Sequence, residues 1–199
     1  MNERRGSARV GVAPGASAPG ATSVAESAAA SASAAAPAEA LSYTTLESPL
    51  GPILLVGSPT GLRMVSFLSG ENPIAPECGW RHEPHLFAEA AQQIHAYFTR
   101  ELQSFTLVLE PRGTPFQLAV WEALRAIPYG KTLSYGEIAR RIGKPAAVRA
   151  VGAANGRNPL PLIVPCHRVI GFDGSLTGYH GGLAIKERLL AIEQEDWFA

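Results

Sequence analysis

Asn158-Pro159-Leu160-Pro161-Leu162-Ile163-Val164-Pro165-Cys166-His167-Arg168-Val169-Ile170 is the stretch from which the rest of the chain is read. Its centre, Pro165 to Arg168, sets a thiol between a rigid proline and two groups that carry protons or positive charge. A free cysteine titrates near ~8.5, so little of it is thiolate at neutral pH; a neighbouring cation or general base turns it into a nucleophile. Pro159, Pro161 and Pro165 fix φ and remove three donors, which excludes a regular helix. Leu162-Ile163-Val164 then predicts a short buried strand or extended segment that delivers Cys166 to a pocket. Taken singly, a cysteine among aliphatic residues reads as a small buried hydrophobe. Adjacency to His167 adds little, since neighbours on an extended chain point to opposite faces. The surrounding string is what singles this thiol out.

Working back toward the N-terminus, Ala147 to Asn155 predicts a helix of small residues in which Arg149 is the one long cation. Before it, Ser134-Tyr135-Gly136-Glu137 is a capping box opening a helix whose Ile138, Ala139 and Ile142 face inward, ended by Gly143-Lys144-Pro145. Helix, short glycine-containing turn, helix is a helix-turn-helix pattern. Small residues such as Ala150 and Gly152 let a backbone approach a nucleic-acid groove closely. Further back, Thr114 at the N-cap and Pro115 at the first helical position open another helix, with Val120, Leu124 and Ile127 inside. Working forward, the glycine-rich run 171–182 can lay backbone groups against a ligand. Leu183 to Gln194 closes as an amphipathic helix bearing Lys186, Glu187 and Glu193.

These residues together resemble the O6-alkylguanine-DNA alkyltransferases, or methylated-DNA–protein-cysteine methyltransferases. The string P-C-H-R-V-[IV] after N-P-x-P carries the likeness. Pro128, Gly130, Ser134 and Tyr135 fit P-x-G-x-x-x-[ST]-Y, and Tyr179 through Glu193 fit Y-x-G-G-x-x-x-K-x-x-L-L-x-x-E. The likeness is strong from Thr114 onward and weaker from Tyr43. It implies an α/β ribonuclease H-like N-terminal domain over 41–111. A mainly α, winged helix-turn-helix-like domain would follow over 112–199.

The resemblance also implies roles. Cys166 is the alkyl acceptor, His167 takes its proton through a water, and Glu193 orients His167. Tyr179 donates to the leaving guanine. Asn158 is the hinge between the recognition helix and the cysteine segment. Tyr135 crowds the phosphate 3′ to the lesion, and Arg149 fills the space of a flipped nucleotide. Arg168, Val169, Ala150 and Gly152 complete the DNA and base contacts, with backbone groups at Cys166 and Val169 reading the guanine edge. The partner is alkylated double-stranded DNA, entered through the minor groove by a monomer, with no cofactor and no metal. His180 departs from the serine of a well-studied subset, which bears on the choice among alkyl groups. Three rivals are a lesion-binding relative without transfer, a helix-turn-helix regulator with an incidental thiol, and a cysteine hydrolase. The first typically lacks the acceptor cysteine, the second leaves Tyr179 and the string from Asn158 unexplained, and the third needs an oxyanion hole and a turnover route.

Composition agrees with this reading. The 199 residues carry 17 basic and 17 acidic side chains. Between Arg112 and Ile170, however, nine Lys/Arg face two acids, Glu122 and Glu137. A local excess of this kind suits a DNA backbone. Two cysteines, Cys78 and Cys166, make no disulfide framework, and Cys78 with His82 and His85 is too sparse for a zinc site. A reactive thiol belongs in a reducing compartment, here the cytoplasm. No apolar run approaches the ~18 residues of a membrane span. Residues 1–40 are mostly Ala, Ser, Gly and Pro, read as a disordered tail and as neither signal nor transit peptide. From Leu41 to Leu109 the pattern predicts a three-stranded antiparallel meander (Tyr43–Ser48, Ile53–Val56, Leu62–Phe67), a helix from Leu86 to Leu102, and a further strand at Phe105–Leu109.

Overall fold

Strand β1 (Ser42–Leu46) pairs antiparallel with β2 (Ile53–Ser58), and β2 pairs antiparallel with β3 (Gly61–Phe67). The computed structural model describes residues 41–194, and the low-complexity tail lies outside them. β2 is buried along its whole length, which is why its apolar run does not alternate. It lies inside the sheet, whose order is β3-β2-β1-β4; β4 is the short edge strand Arg81–His82, parallel to β1 and not foreseen from the sequence. The β2–β3 register shifts at Val56/Gly57, where a Cβ on Gly57 would lie 2.5 Å from the Gly61 carbonyl oxygen.

A 3-10 turn over Pro84–Phe87 leads into α1 (Ala88–Phe98), which buries Ala90, Ile94 and Tyr97. The helix stops short of Leu102. Arg100 takes a left-handed φ of 65°, and the amides of Glu101 and Leu102 both turn back to the Ala96 carbonyl. The strand expected at Phe105–Leu109 shrinks to a single bridge between Leu62 and Leu109. Its upstream half is tied to α1 instead: Gln93 accepts from the Thr106 amide and donates to the Thr106 hydroxyl.

α2 (Pro115–Arg125) opens with a capping box between Thr114 and Gln117. β5 (Leu133–Ser134) runs directly into α3 (Tyr135–Arg141), where Ser134 and Glu137 form the second capping box. α4 (Val148–Gly156) packs against both α2 and α3, and Trp121 on α2 donates its ring N–H to the Ala154 carbonyl at 2.9 Å. β6 (Val169–Ile170) pairs in parallel with β5, which docks the cysteine segment beside the cap of α3. α5 (Leu183–Gln194) closes the described chain.

The segment Leu162–Val164 is a turn, not the expected strand or extended segment. The Val164 amide reaches back to the Leu160 carbonyl at 2.8 Å, and Leu162 takes φ 77°. Asn158 imposes the turn: its side chain accepts from the Leu160 amide at 3.0 Å and donates to the Val164 carbonyl at 2.8 Å. A left-handed leucine costs about 1–2 kcal/mol, which the burial of Leu160, Leu162 and Val164 offsets. One apolar cluster joins β2, β3 and α1 to α2, α4, this turn and α5. The Val65 amide on β3 donates to the Pro159 carbonyl, so the sheet braces the turn directly. Among the described residues no helix is long and apolar enough to cross a membrane.

Candidate active site

The turn ends in a single 3-10 turn, Cys166–Arg168, that leads into β6. It presents the thiol and the imidazole inside the molecule: Cys166 is 1% exposed and His167 is fully buried. α5 supplies the opposing side chains. Lys186 and Glu193 lie seven residues apart, about two turns, so both fall on the face that buries Ile185, Leu189 and Ile192.

Glu193 is the hub. His167 Nε2 lies 2.8 Å from its Oε1, the Arg168 guanidinium donates to both its oxygens, Tyr97 donates its hydroxyl at 2.8 Å, and the Gly130 amide donates to Oε2 at 3.0 Å. Gly130 has φ 69°, and a Cβ there would come within 3.1 Å of the Glu193 carbonyl oxygen. Burial works against the Glu193 carboxylate, but the His167 hydrogen bond and the Arg168 guanidinium outweigh it and hold the carboxyl down at about 2. Burial also lowers His167, so its ring is neutral at neutral pH. An ionised carboxylate can only accept, so the proton of the neutral ring sits on Nε2 and Nδ1 keeps its lone pair. Nδ1 has no protein partner among the described residues. The imidazole is therefore oriented as a base.

Burial pushes the Cys166 thiol up to about 11; the Asn158 side chain and the Lys186 ammonium pull it back down. The thiol is thus protonated at rest and must lose its proton as it reacts. The Tyr179 hydroxyl is buried without a protein partner among the described residues, and burial, the thiol and Glu193 all raise it, so it stays a donor. Tyr135 donates its hydroxyl to the Thr177 carbonyl at 3.0 Å, and its ring lies against Gly152 on α4. Arg149 and Ala150 are exposed on α4.

The structure thus gathers Cys166, His167, Glu193, Tyr179 and Asn158 in one interior site and leaves Tyr135, Arg149, Ala150 and Gly152 toward the outside. Arg168 corrects the expectation of a DNA contact. It is 5% exposed, its guanidinium is engaged by Glu193 and the Ile127 carbonyl, and it lies over the Tyr129 ring, so it has no face for a phosphate. Val169 is buried beside the thiol, and its carbonyl accepts from Lys186 at 2.6 Å, which leaves it a second lone pair. Sequence reasoning missed Tyr97, which lies on the apolar stripe of α1, although a buried phenol needs a partner. It also gave Lys186 no role, although its seven-residue spacing from Glu193 placed it on the buried stripe.

Comparison with known proteins matches this arrangement. Residues 115–195 fit the model of the 6-O-methylguanine DNA methyltransferase DNA binding domain, and residues 41–111 fit that of its ribonuclease-like domain. A methylated-DNA–protein-cysteine methyltransferase of Methanosarcina acetivorans is 55% identical over 76% of this chain and 97% of its own. That of Mycolicibacterium paratuberculosis is 50% identical over 77% of this chain and 93% of its own. The crystal structure of Mycobacterium tuberculosis OGT in complex with DNA superposes with a TM-score of 0.73 at 48% identity, covering 78% of this chain and 94% of that one. Two matched models that together span most of the chain, a buried Cys-His-Glu site inside the second, and relatives this similar mean that the chain belongs to the 6-O-methylguanine DNA methyltransferase family.

Proposed function

We propose that this protein repairs DNA by moving a methyl or larger alkyl group from O6 of guanine to the sulfur of Cys166, once per molecule. The observation that carries the reading is the buried pair of His167 and Glu193 beside a buried thiol. In the reaction Sγ attacks the alkyl carbon in line. The S–C bond forms as the C–O6 bond breaks, and its electron pair leaves with guanine. The thiol proton passes to His167 Nδ1, through a water, and Glu193 stabilises the imidazolium that results. The Tyr179 hydroxyl donates to N3 or O6 of the departing base. The product is a thioether with no leaving group, so the thiol is not restored.

The base reaches the buried sulfur by being flipped from the duplex, which costs less for a poorly pairing alkylated guanine than for a normal one. α3 and α4 act as a helix-turn-helix, with α4 laid in the minor groove, Arg149 filling the vacated stack and Tyr135 crowding the 3′ phosphate. The monomer suffices. Residues 41–111 form a supporting domain and 112–199 the DNA-binding and acceptor domain.

Duplex DNA carrying radiolabelled O6-methylguanine tests this. Expected is stoichiometric label on the protein, abolished by Cys166→Ala while lesion binding remains. Binding without transfer would instead make the chain a lesion-recognition protein, and multiple turnover a hydrolase.

A further inference from the structure

Lys186 is a fully buried cation that the steps above do not use. Burying an ammonium is costly unless it is satisfied, and here it is: Nζ donates to the Val169 carbonyl and to the Thr177 carbonyl, both at 2.6 Å. Those two carbonyls belong to different parts of the site. Val169 follows the cysteine turn in β6, and Thr177 lies in the glycine-rich loop two residues before Tyr179. The Thr177 carbonyl also accepts from Tyr135, so a single oxygen joins the α5 cation to the first residue of α3. The charges around the thiol sharpen the point. His167 is neutral and Arg168 is matched by Glu193, whereas Lys186 is the cation whose charge favours the Cys166 thiolate.

We propose that Lys186 is a positioning residue for alkyl transfer, pinning the Thr177–Tyr179 loop to β6 and supplying the positive charge that the Cys166 thiolate needs. This rests on the reading that Cys166 is the acceptor. Burial brings the Lys186 ammonium down to about 8, and a thiolate beside it works the other way, so each ion holds the other in its charged form.

The test uses the full chain and the variants Lys186→Met and Lys186→Arg. The small thiol reagent methyl methanethiosulfonate, followed at the Cys166 peptide against pH, reads thiolate formation without DNA or methyl transfer. Expected for Lys186→Met is a pH profile displaced upward by about one unit, with roughly tenfold slower modification at neutral pH. Lys186→Arg should recover most of the charge effect, while both variants slow methyl transfer from duplex DNA through the loosened loop. A folded Lys186→Met protein with the unaltered profile overturns the proposal. If neither variant folds, the unaltered protein labelled with 13Cε-lysine decides. The Cys166 reactivity profile should flatten through the pH at which Lys186 titrates, because the thiolate loses its counter-charge there, and a profile rising straight through that midpoint overturns the proposal. Should the unaltered protein fail to transfer methyl groups at all, the reagent profile still reports on the Lys186–Cys166 pair by itself.

Discussion

At the scale of single residues, the site is governed by what burial does to charge. Glu193 sits at about 2, below its ordinary 4.5, and His167 is also lowered from 6.5. For both groups the unfolded chain binds protons that the folded one refuses, so both stabilise the fold at higher pH and lose that contribution on acidification. Stability should therefore fall in two stages. The first begins below about pH 6.5 as the unfolded-state histidine charges. The second begins below about pH 4.5 and removes roughly 3 kcal/mol as Glu193 is lost. Urea unfolding across pH 2 to 8 measures this. Glu193→Gln should flatten the second stage and cost roughly 3–5 kcal/mol at pH 7, because Arg168 is left buried and unpaired. An unflattened acid limb in that variant would contradict the assignment. Cys166, His167 and Glu193 were legible in the sequence because their spacing within motifs is specific. The burial of Arg168 was not, since no local pattern says whether an arginine beside a histidine points outward or finds a carboxylate from a helix some 25 residues on.

At the scale of elements, the turn 158–164 is the piece that places the sulfur. Its two closing side-chain hydrogen bonds come from one residue, so Asn158→Ala leaves the buried Leu160 amide without a partner and the Val164 carbonyl with the Cys166 amide alone. The expected cost is about 1–3 kcal/mol, read by denaturant midpoint, with single-turnover transfer slowed at least about tenfold. α4 gives the opposite expectation. Arg149 is exposed, so Arg149→Ala should leave stability within about 0.5 kcal/mol and thiol reactivity unchanged while weakening duplex binding and slowing repair. Unchanged repair on duplex DNA would count against its role in the stack. The helices were readable because their caps are local: Thr114 with Gln117 and Ser134 with Glu137 both form as their spacing requires. The turn was misread as a strand because its shape depends on Asn158 reaching six residues along the chain, which an apolar run alone does not reveal.

At the scale of the molecule, the N-terminal sheet and α1 are not passengers. Val65 braces Pro159, and the Tyr97 hydroxyl reaches Glu193 across 96 residues of sequence. Tyr97→Phe should cost about 1–2 kcal/mol and slow transfer, detected by thermal unfolding beside single-turnover kinetics; unchanged values for both would make that contact incidental. The basic excess over 112–170 predicts that DNA affinity falls as salt rises, with a linear log–log slope. The central claim is that one sulfur takes one alkyl group and keeps it. Intact-mass and peptide mass spectrometry after incubation with excess O6-methylguanine duplex tests this most directly. One added methyl per chain, confined to the peptide bearing Cys166, is the result the account predicts; an unmodified Cys166 peptide beside repaired DNA would contradict it.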